Sequence, residues 1–306
     1  MTTENASLLL QAAARAAAGQ TYPAGALYVV ATPIGNLADI TLRAIHVLAT
    51  VDAIGCEDTR HTAALLHHLG IDKPLLALHE HNEHAAAAQV LARLARGERV
   101  AYVSDAGSPA VSDPGAALVA AAAQAGHRCI PIPGASAGVA ALSVAGEGAA
   151  STTATGHTFI GFLAARGPAR ATALAALAAD PRTQVLYEAP HRIESLCATL
   201  AHACGPRRAT LGRELTKQFE TVVTLPAADL PAWLAADPNR LRGEFVLVLH
   251  ALSDAAPDAA GTHDRTLNVL LAALPLKQAV ALATELTGAP RNALYARALA
   301  LKGEAH

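Results

Sequence analysis

Between Leu27 and Pro133 the chain alternates short apolar runs with segments of helical length, and this alternation limits the fold more than any other feature. Residues 27–31, 53–56, 75–78, 100–103 and 129–132 have the length and β-branched or aliphatic content of buried strands. The intervening segments carry helix punctuation: Asp58 can cap a helix that Gly70 ends, and Gly126 can close one that opens at Pro114. A βαβ series of this kind predicts an α/β domain with a mostly parallel sheet. A second series follows the Gly/Ser/Thr-rich junction at 146–156, with strands expected at 158–162, 183–188, 209–213, 221–225 and 245–250, and a helix at 193–203 closed by Gly205. The fold class expected is therefore α/β, with two tandem domains over residues 26–150 and 151–252.

What remains lies at the ends. Residues 1–25 lack the basic-then-apolar order of a secretory signal and read as a flexible, weakly helical tail. Residues 253–262 read as a linker, and 263–306 as a small helical appendage broken at Pro275 and at 288–290. No run of about 18 strongly apolar residues occurs, so a soluble, cytoplasmic protein is expected. Four cysteines, Cys56, Cys129, Cys197 and Cys204, form no C-x-x-C pair and fit reduced core thiols. The net charge of −2 announces no polyanionic partner, yet the first 150 residues hold 8 basic against 12 acidic side chains and the rest hold 15 against 13. Basic contacts to a polyanion would thus come mainly from the second half.

The non-helical glycines, prolines and charged residues gather after strand ends, where open α/β sheets bind ligands. Residues 103–115, V-S-D-A-G-S-P-A-V-S-D-P-G, hold Gly107, Pro109, Pro114 and Gly115 in one loop, which fixes its shape and lets backbone approach a ligand. Asp113 before Pro114 reads as a helix cap, leaving Asp105 and the 106–109 backbone as the contact candidates. Residues 32–37 carry one glycine where a dinucleotide fold needs G-x-G-x-x-G, and no G-x-x-x-x-G-K-[ST] occurs, which disfavours nicotinamide, flavin and P-loop nucleotides. The turn 133–137 opens a helix with Ser136 and could hold a carboxylate or an adenine edge. His79, His81 and His84 could share a face as metal ligands, but spacing shows no further ligand, so a polar cleft rim is preferred and no metal is implied. Asp58 and Arg60 read equally well as a surface ion pair or as site groups.

Taken together, the stretches at 32–44 (TPIGNLADITLRA), 57–62 (EDTRHT), 79–83 (HEHNE), 104–109 (SDAGSP), 113–115 (DPG), 187–192 (YEAPHR), 213–217 (RELTK) and 243–248 (GEFVLV) resemble the tetrapyrrole methylase superfamily. The likeness is greatest to the branch that methylates a cytidine 2′-hydroxyl in the decoding region of 16S rRNA, and it runs from about Leu27 to the C-terminus. Two departures stand out: Ala164 replaces a usual proline after Gly161-Phe162-Leu163, and Ala135 stands where a second proline is common.

The resemblance implies two α/β domains with S-adenosylmethionine (SAM) in the cleft between them. It puts SAM against Pro33, Asp105, Ala106, Gly107, Ser108, Pro109, Val111, Gly134, Ala135, Ser136, Ala137 and Tyr187. The acceptor implied is the 2′-oxygen of cytidine 1402 of 16S rRNA in the 30S subunit, and the assembly implied is a homodimer. Motif-matching base candidates are Glu188 and Glu57 first, then Lys217 as a neutral amine or phosphate partner, with Asp58, His81 and Glu214 behind them. Arg60, Arg192 and Arg213 are the candidate RNA contacts near the site, and Lys277 and Arg291, with Asn292 and Tyr295, those of the helix-turn-helix-like tail. A tetrapyrrole or diphthamide-precursor methylase, or a non-catalytic RNA-binding protein on the same fold, are the rival readings.

Overall fold

A computed structural model of the chain describes residues 3–79, 83–112, 115–146, 156–252 and 263–304. The first series runs α1 (Thr3–Ala17), β1 (Ala26–Val30), α2 (Leu42–Thr50), β2 (Ala53–Cys56), α3 (Thr59–Leu69), β3 (Leu75–Ala77), α4 (Glu83–Ala95), β4 (Val100–Val103), α5 (Gly115–Gln124), β5 (Arg128–Ile132) and α6 (Ala137–Ala145). Its five strands pair in parallel in the order β3-β2-β4-β1-β5. The central strands are apolar throughout because helices cover both faces. Tyr28, Ile45, Leu48 and Ile54 fill one side, and Leu27, Val90, Tyr102 and Leu118 the other.

Two local signals did what their chemistry requires. Asp58 caps α3 by accepting from the Arg60 amide at 2.8 Å, and Gly70 ends it in the left-handed region at φ +70°. Gly115 opens α5 directly against the ring of fully buried Tyr102, leaving no room for a β-carbon. Gly115→Ala is therefore expected to cost about 1–3 kcal/mol through overpacking, measurable by chemical denaturation; an unchanged midpoint would show that the ring can shift freely. Asp113, read as the cap of this helix, lies outside the described residues.

The flexible tail expected at 1–25 is corrected by α1, a 15-residue helix. Its buried stripe is Ala6, Ala13 and Ala17, and it packs on α2 and α3. Alanine lowers the apolar contrast of such a stripe, which hid it in the sequence, but lets the helices approach closely.

The second series contains β6 (His157–Phe162), α7 (Pro168–Ala179), β7 (Thr183–Glu188), α8 (Pro190–Cys204), β8 (Arg208–Arg213), β9 (Thr221–Pro226), α9 (Leu230–Ala235) and β10 (Phe245–Leu249). Its sheet has the order β6-β7-β10-β8-β9, with β6 and β7 parallel and the other pairs antiparallel. One face, with Leu186, Leu211 and Leu247, is covered by α7, α8 and α9. The opposite face, with Val185, Val246 and Val248, is covered by α6 of the first series through Ala141 and Ala145. Both sheets accordingly belong to one compact unit.

The described C-terminal residues form α10 (Asp264–Ala273), α11 (Leu276–Thr287) and α12 (Arg291–Glu304), breaking where Pro275 and Gly288 interrupt the pattern. Leu267, Val280, Ala283, Leu294 and Ala298 make their core, and Arg297 clamps Asp264 with two bonds of 2.7 and 2.9 Å. This is a separate compact unit. Among the described residues no helix is long and apolar enough to cross a membrane.

Candidate active site

The loops leaving the carboxyl ends of β1, β4 and β5 are tied together by backbone. Thr32 and Gly107 exchange N–H···O bonds of 2.9 and 3.1 Å, and the Thr32 hydroxyl donates to the Ser104 carbonyl at 3.2 Å. Gly107 adopts φ +84°, and a β-carbon there would press on Ile34 at 3.3 Å. The Ser108 hydroxyl donates to the Ala135 carbonyl at 3.1 Å, joining the third loop to the second. Asp105 Oδ1 accepts from the Asp58 amide at 3.1 Å and so anchors the loop after β2.

Opposite these loops stands the second sheet. The Tyr187 hydroxyl accepts from the Gly138 amide at 3.0 Å, and burial raises the pKa of that hydroxyl. A β-carbon at Gly138 would crowd the same oxygen at 3.2 Å, so glycine favours this close approach. Between the two walls lies a cavity of about 500 Å³, a size suited to a small-molecule ligand.

Most residues singled out in the sequence meet there. Asp105, Ala106, Gly107, Ser108, Val111, Ser136, Ala137 and Tyr187 line the cavity, together with Glu57 and Glu188. Pro33, Pro109, Gly134 and Ala135 are not among the lining residues; Gly134 packs on Ala31, and Ala135 supplies the carbonyl that holds Ser108. The sequence reading passed over Ile34, Phe162, Leu215, Glu244 and Phe245, which also line it. Each sits inside a recognised stretch, but alternation along a strand does not say which residue faces a ligand.

The charged candidates separate on geometry. Glu188 has a side chain 1% exposed, with Arg192 Nε 2.8 Å from Oε1 and Arg170 Nη1 3.7 Å from Oε2. Oε1 also accepts from the Ala189 amide at 3.0 Å. Engaged in this way, the carboxylate holds two arginines in place beneath the cavity. Lys217 Nζ lies 2.9 Å from both Glu214 and Glu244. Burial works to lower its pKa, but the hydrogen bonds to the two carboxylates outweigh burial and raise it. Two carboxylates at this distance favour the ammonium form, which speaks against the neutral-amine role expected of Lys217 and leaves that of a phosphate partner. Its neighbours Glu214 and Thr216 hold left-handed backbone at φ +52° and +67°, strain of the kind found at functional loops.

Among the arginines, Arg60 is 91% exposed and pairs with Asp58 at 2.7 Å, so Asp58 is both cap and ion-pair partner. Arg192 is committed inward, donating to the Leu163 carbonyl at 2.6 Å as well as to Glu188. Its expected role as an RNA contact is corrected on that ground. Arg213 donates to the carbonyls of Arg242 and Phe219 at 2.6 and 3.1 Å. Lys277 and Arg291 are exposed on the C-terminal helices. Of the histidine cluster, His81 and the side chain of His84 lie outside the described residues.

The sequence pattern of the family Tetrapyrrole (Corrin/Porphyrin) Methylases matches residues 26–231, two-thirds of the chain. A protein of Pseudomonas aeruginosa named Ribosomal RNA small subunit methyltransferase I is 48% identical over 284 residues, covering 92% of this chain and 99% of its own. The chain belongs to the ribosomal RNA small subunit methyltransferase I family of tetrapyrrole methylases. Another member of that family, from Xylella fastidiosa, is 50% identical and covers 89% of this chain and 98% of its own. The methyltransferase I family also explains the last helices, since residues 255–302 match the RsmI C-terminal HTH domain. The wider fold is shared with cobalt precorrin-4 methyltransferase (TM-score 0.54, 19% identity, 75% of this chain and 98% of that one). A uroporphyrin-III C-methyltransferase from Thermus thermophilus, complexed with S-adenyl homocysteine, aligns at TM-score 0.51 and 16% identity over 74% of this chain and 98% of that one.

Proposed function

We propose that the protein methylates the 2′-oxygen of a cytidine in 16S rRNA, with cytidine 1402 as the expected nucleotide and SAM as methyl donor. The observation that carries this reading is the cavity of about 500 Å³ walled by the loops after β1, β2, β4 and β5 on one side and by the second sheet on the other. Its chemistry fits SAM, which bears no phosphate. The wall offers close backbone at 105–108, apolar Val111 and Ile34, and the N-terminus of α6, where Ser136 makes no capping bond of its own. A helix N-terminus suits a carboxylate such as that of the methionine moiety.

When bound, SAM supplies a methyl group on a cationic sulfur that leaves as a neutral thioether. The chain's part is to hold the acceptor hydroxyl in line and exclude water, which can supply much of the acceleration. Glu57, on the wall at the end of β2, is the proposed acceptor of the hydroxyl proton. Glu188 is a positioning residue. Lys217, Arg60, Lys277 and Arg291 are the proposed cationic contacts to the RNA backbone.

The deciding experiment is transfer of labelled methyl from SAM to purified 30S subunits, with the labelled nucleotide mapped. Label on a ribose of 16S rRNA, lost on Asp105→Ala, is the expected result; label on a base, or binding without transfer, would overturn the reading. Removing residues 263–306 is expected to weaken binding to the subunit at least about tenfold, the loss of a few phosphate contacts, with SAM affinity nearly unchanged. Equal loss of both affinities would assign those helices a folding role.

A further inference from the structure

We propose that Phe162 is the platform on which the base of the acceptor nucleotide stacks, an inference that rests on the RNA reading above. Phe162 lines the cavity, yet it is 57% exposed. Its place there is constructed. In the β6–β7 ladder Phe159 lies opposite Val185 and Phe162 opposite Tyr187, with an extra residue taken up between Phe159 and Gly161. Val185 and Tyr187 face α6. Without that bulge, strict alternation would turn Phe162 to the far face, among Leu186 and Leu211. Gly161 permits the bulge with φ +67°.

The loop after Phe162 is then fixed from below. Arg192 donates to the Leu163 carbonyl at 2.6 Å and Arg170 to the Ala164 carbonyl at 3.0 Å. Both guanidiniums are held by Glu188. This arrangement secures the loop at the position where Ala164 replaces a proline. Tyr187 meets Phe162 edgewise, with centroids 5.6 Å apart and planes at 68°, so it braces the ring without stacking parallel on it.

Phe162 comes from the second sheet, and the loops with close backbone proposed to hold SAM leave the first, so its exposed ring remains open to an acceptor entering from solvent. Single-stranded RNA bases are commonly recognised by stacking on aromatic side chains. An aromatic ring set by a bulge into the wall of a methyl-transfer cavity matches that chemistry.

The test uses full-length Phe162→Ala, Phe162→Leu and Phe162→Tyr, with kcat/KM on 30S subunits and calorimetric SAM affinity measured for each. Alanine and leucine are both expected to lower kcat/KM for the subunit about 5- to 150-fold, and tyrosine by less than about threefold. SAM affinity should stay within about twofold in all three, which also reports that each variant is folded. Leucine performing as well as tyrosine, an unaffected alanine variant, or a parallel loss of SAM affinity would each overturn the stacking role. Absence of transfer by the unsubstituted protein would instead overturn the RNA reading, and the stacking role with it.

Discussion

Glu57→Gln is expected to lower kcat for methyl transfer by about 100-fold or more, the range for loss of a general base, with SAM affinity unchanged. Glu57 stands between Cys56, the buried last residue of β2, and Asp58, whose amide is held by Asp105 and whose carboxylate caps α3. Backbone fixed on both sides sets the position from which the Glu57 side chain reaches the cavity wall. Glutamine keeps the size and polarity but cannot take up a proton. Steady-state kinetics on 30S subunits with calorimetry for SAM make the comparison. A kcat within about threefold of the original would mean that alignment alone supplies the rate and that Glu57 only shapes the wall.

Glu188→Ala is expected to act on stability first. Its removal leaves Arg170 and Arg192, 12% and 21% exposed, with uncompensated charge beneath the cavity floor. Breaking a buried pair from one side costs about 3 kcal/mol at the lower end of the usual range, appropriate because both guanidiniums retain some access to water. For a compact unit of this size that corresponds to a fall in Tm of roughly 6–12 °C. Glu188→Gln retains acceptors for the arginines and should lose less. If thermal melts of Glu188→Gln were unchanged while its kcat collapsed, Glu188 would return to the role of base.

The strands were legible because their signal is local: residues 53–56, 100–103 and 183–188 are the observed β2, β4 and β7, and Gly70 and Gly205 stand at the ends of α3 and α8. The loops of the first wall were legible for the same reason, as Gly107 and Ser108 must sit in a turn. The second wall was harder. That Val185, Tyr187 and Phe162 share a face depends on one extra residue in β6, which no period in the sequence announces. The roles of Glu188 and Lys217 depended on partners distant in the chain, Arg170 for the first and Glu244 for the second, and sequence spacing carries no information on such pairings. The N-terminal segment read only as a weakly helical tail because the fully buried positions of its helix are alanines.

Helix α6 begins at the cavity with Ala137 and continues as the apolar cover of Val185, Val246 and Val248. It is joined through β5 to the first sheet and bonded through Gly138 to Tyr187 of the second. Rotating one sheet away from the other would strip an apolar face and break that bond at once. Within this unit the apolar seam therefore opposes hinging between the two sheets, and the loops at the cavity are the segments freer to move. Under the proposed RNA reading, the acceptor nucleotide reaches the cavity from its loop side, since the two sheets share one apolar interface.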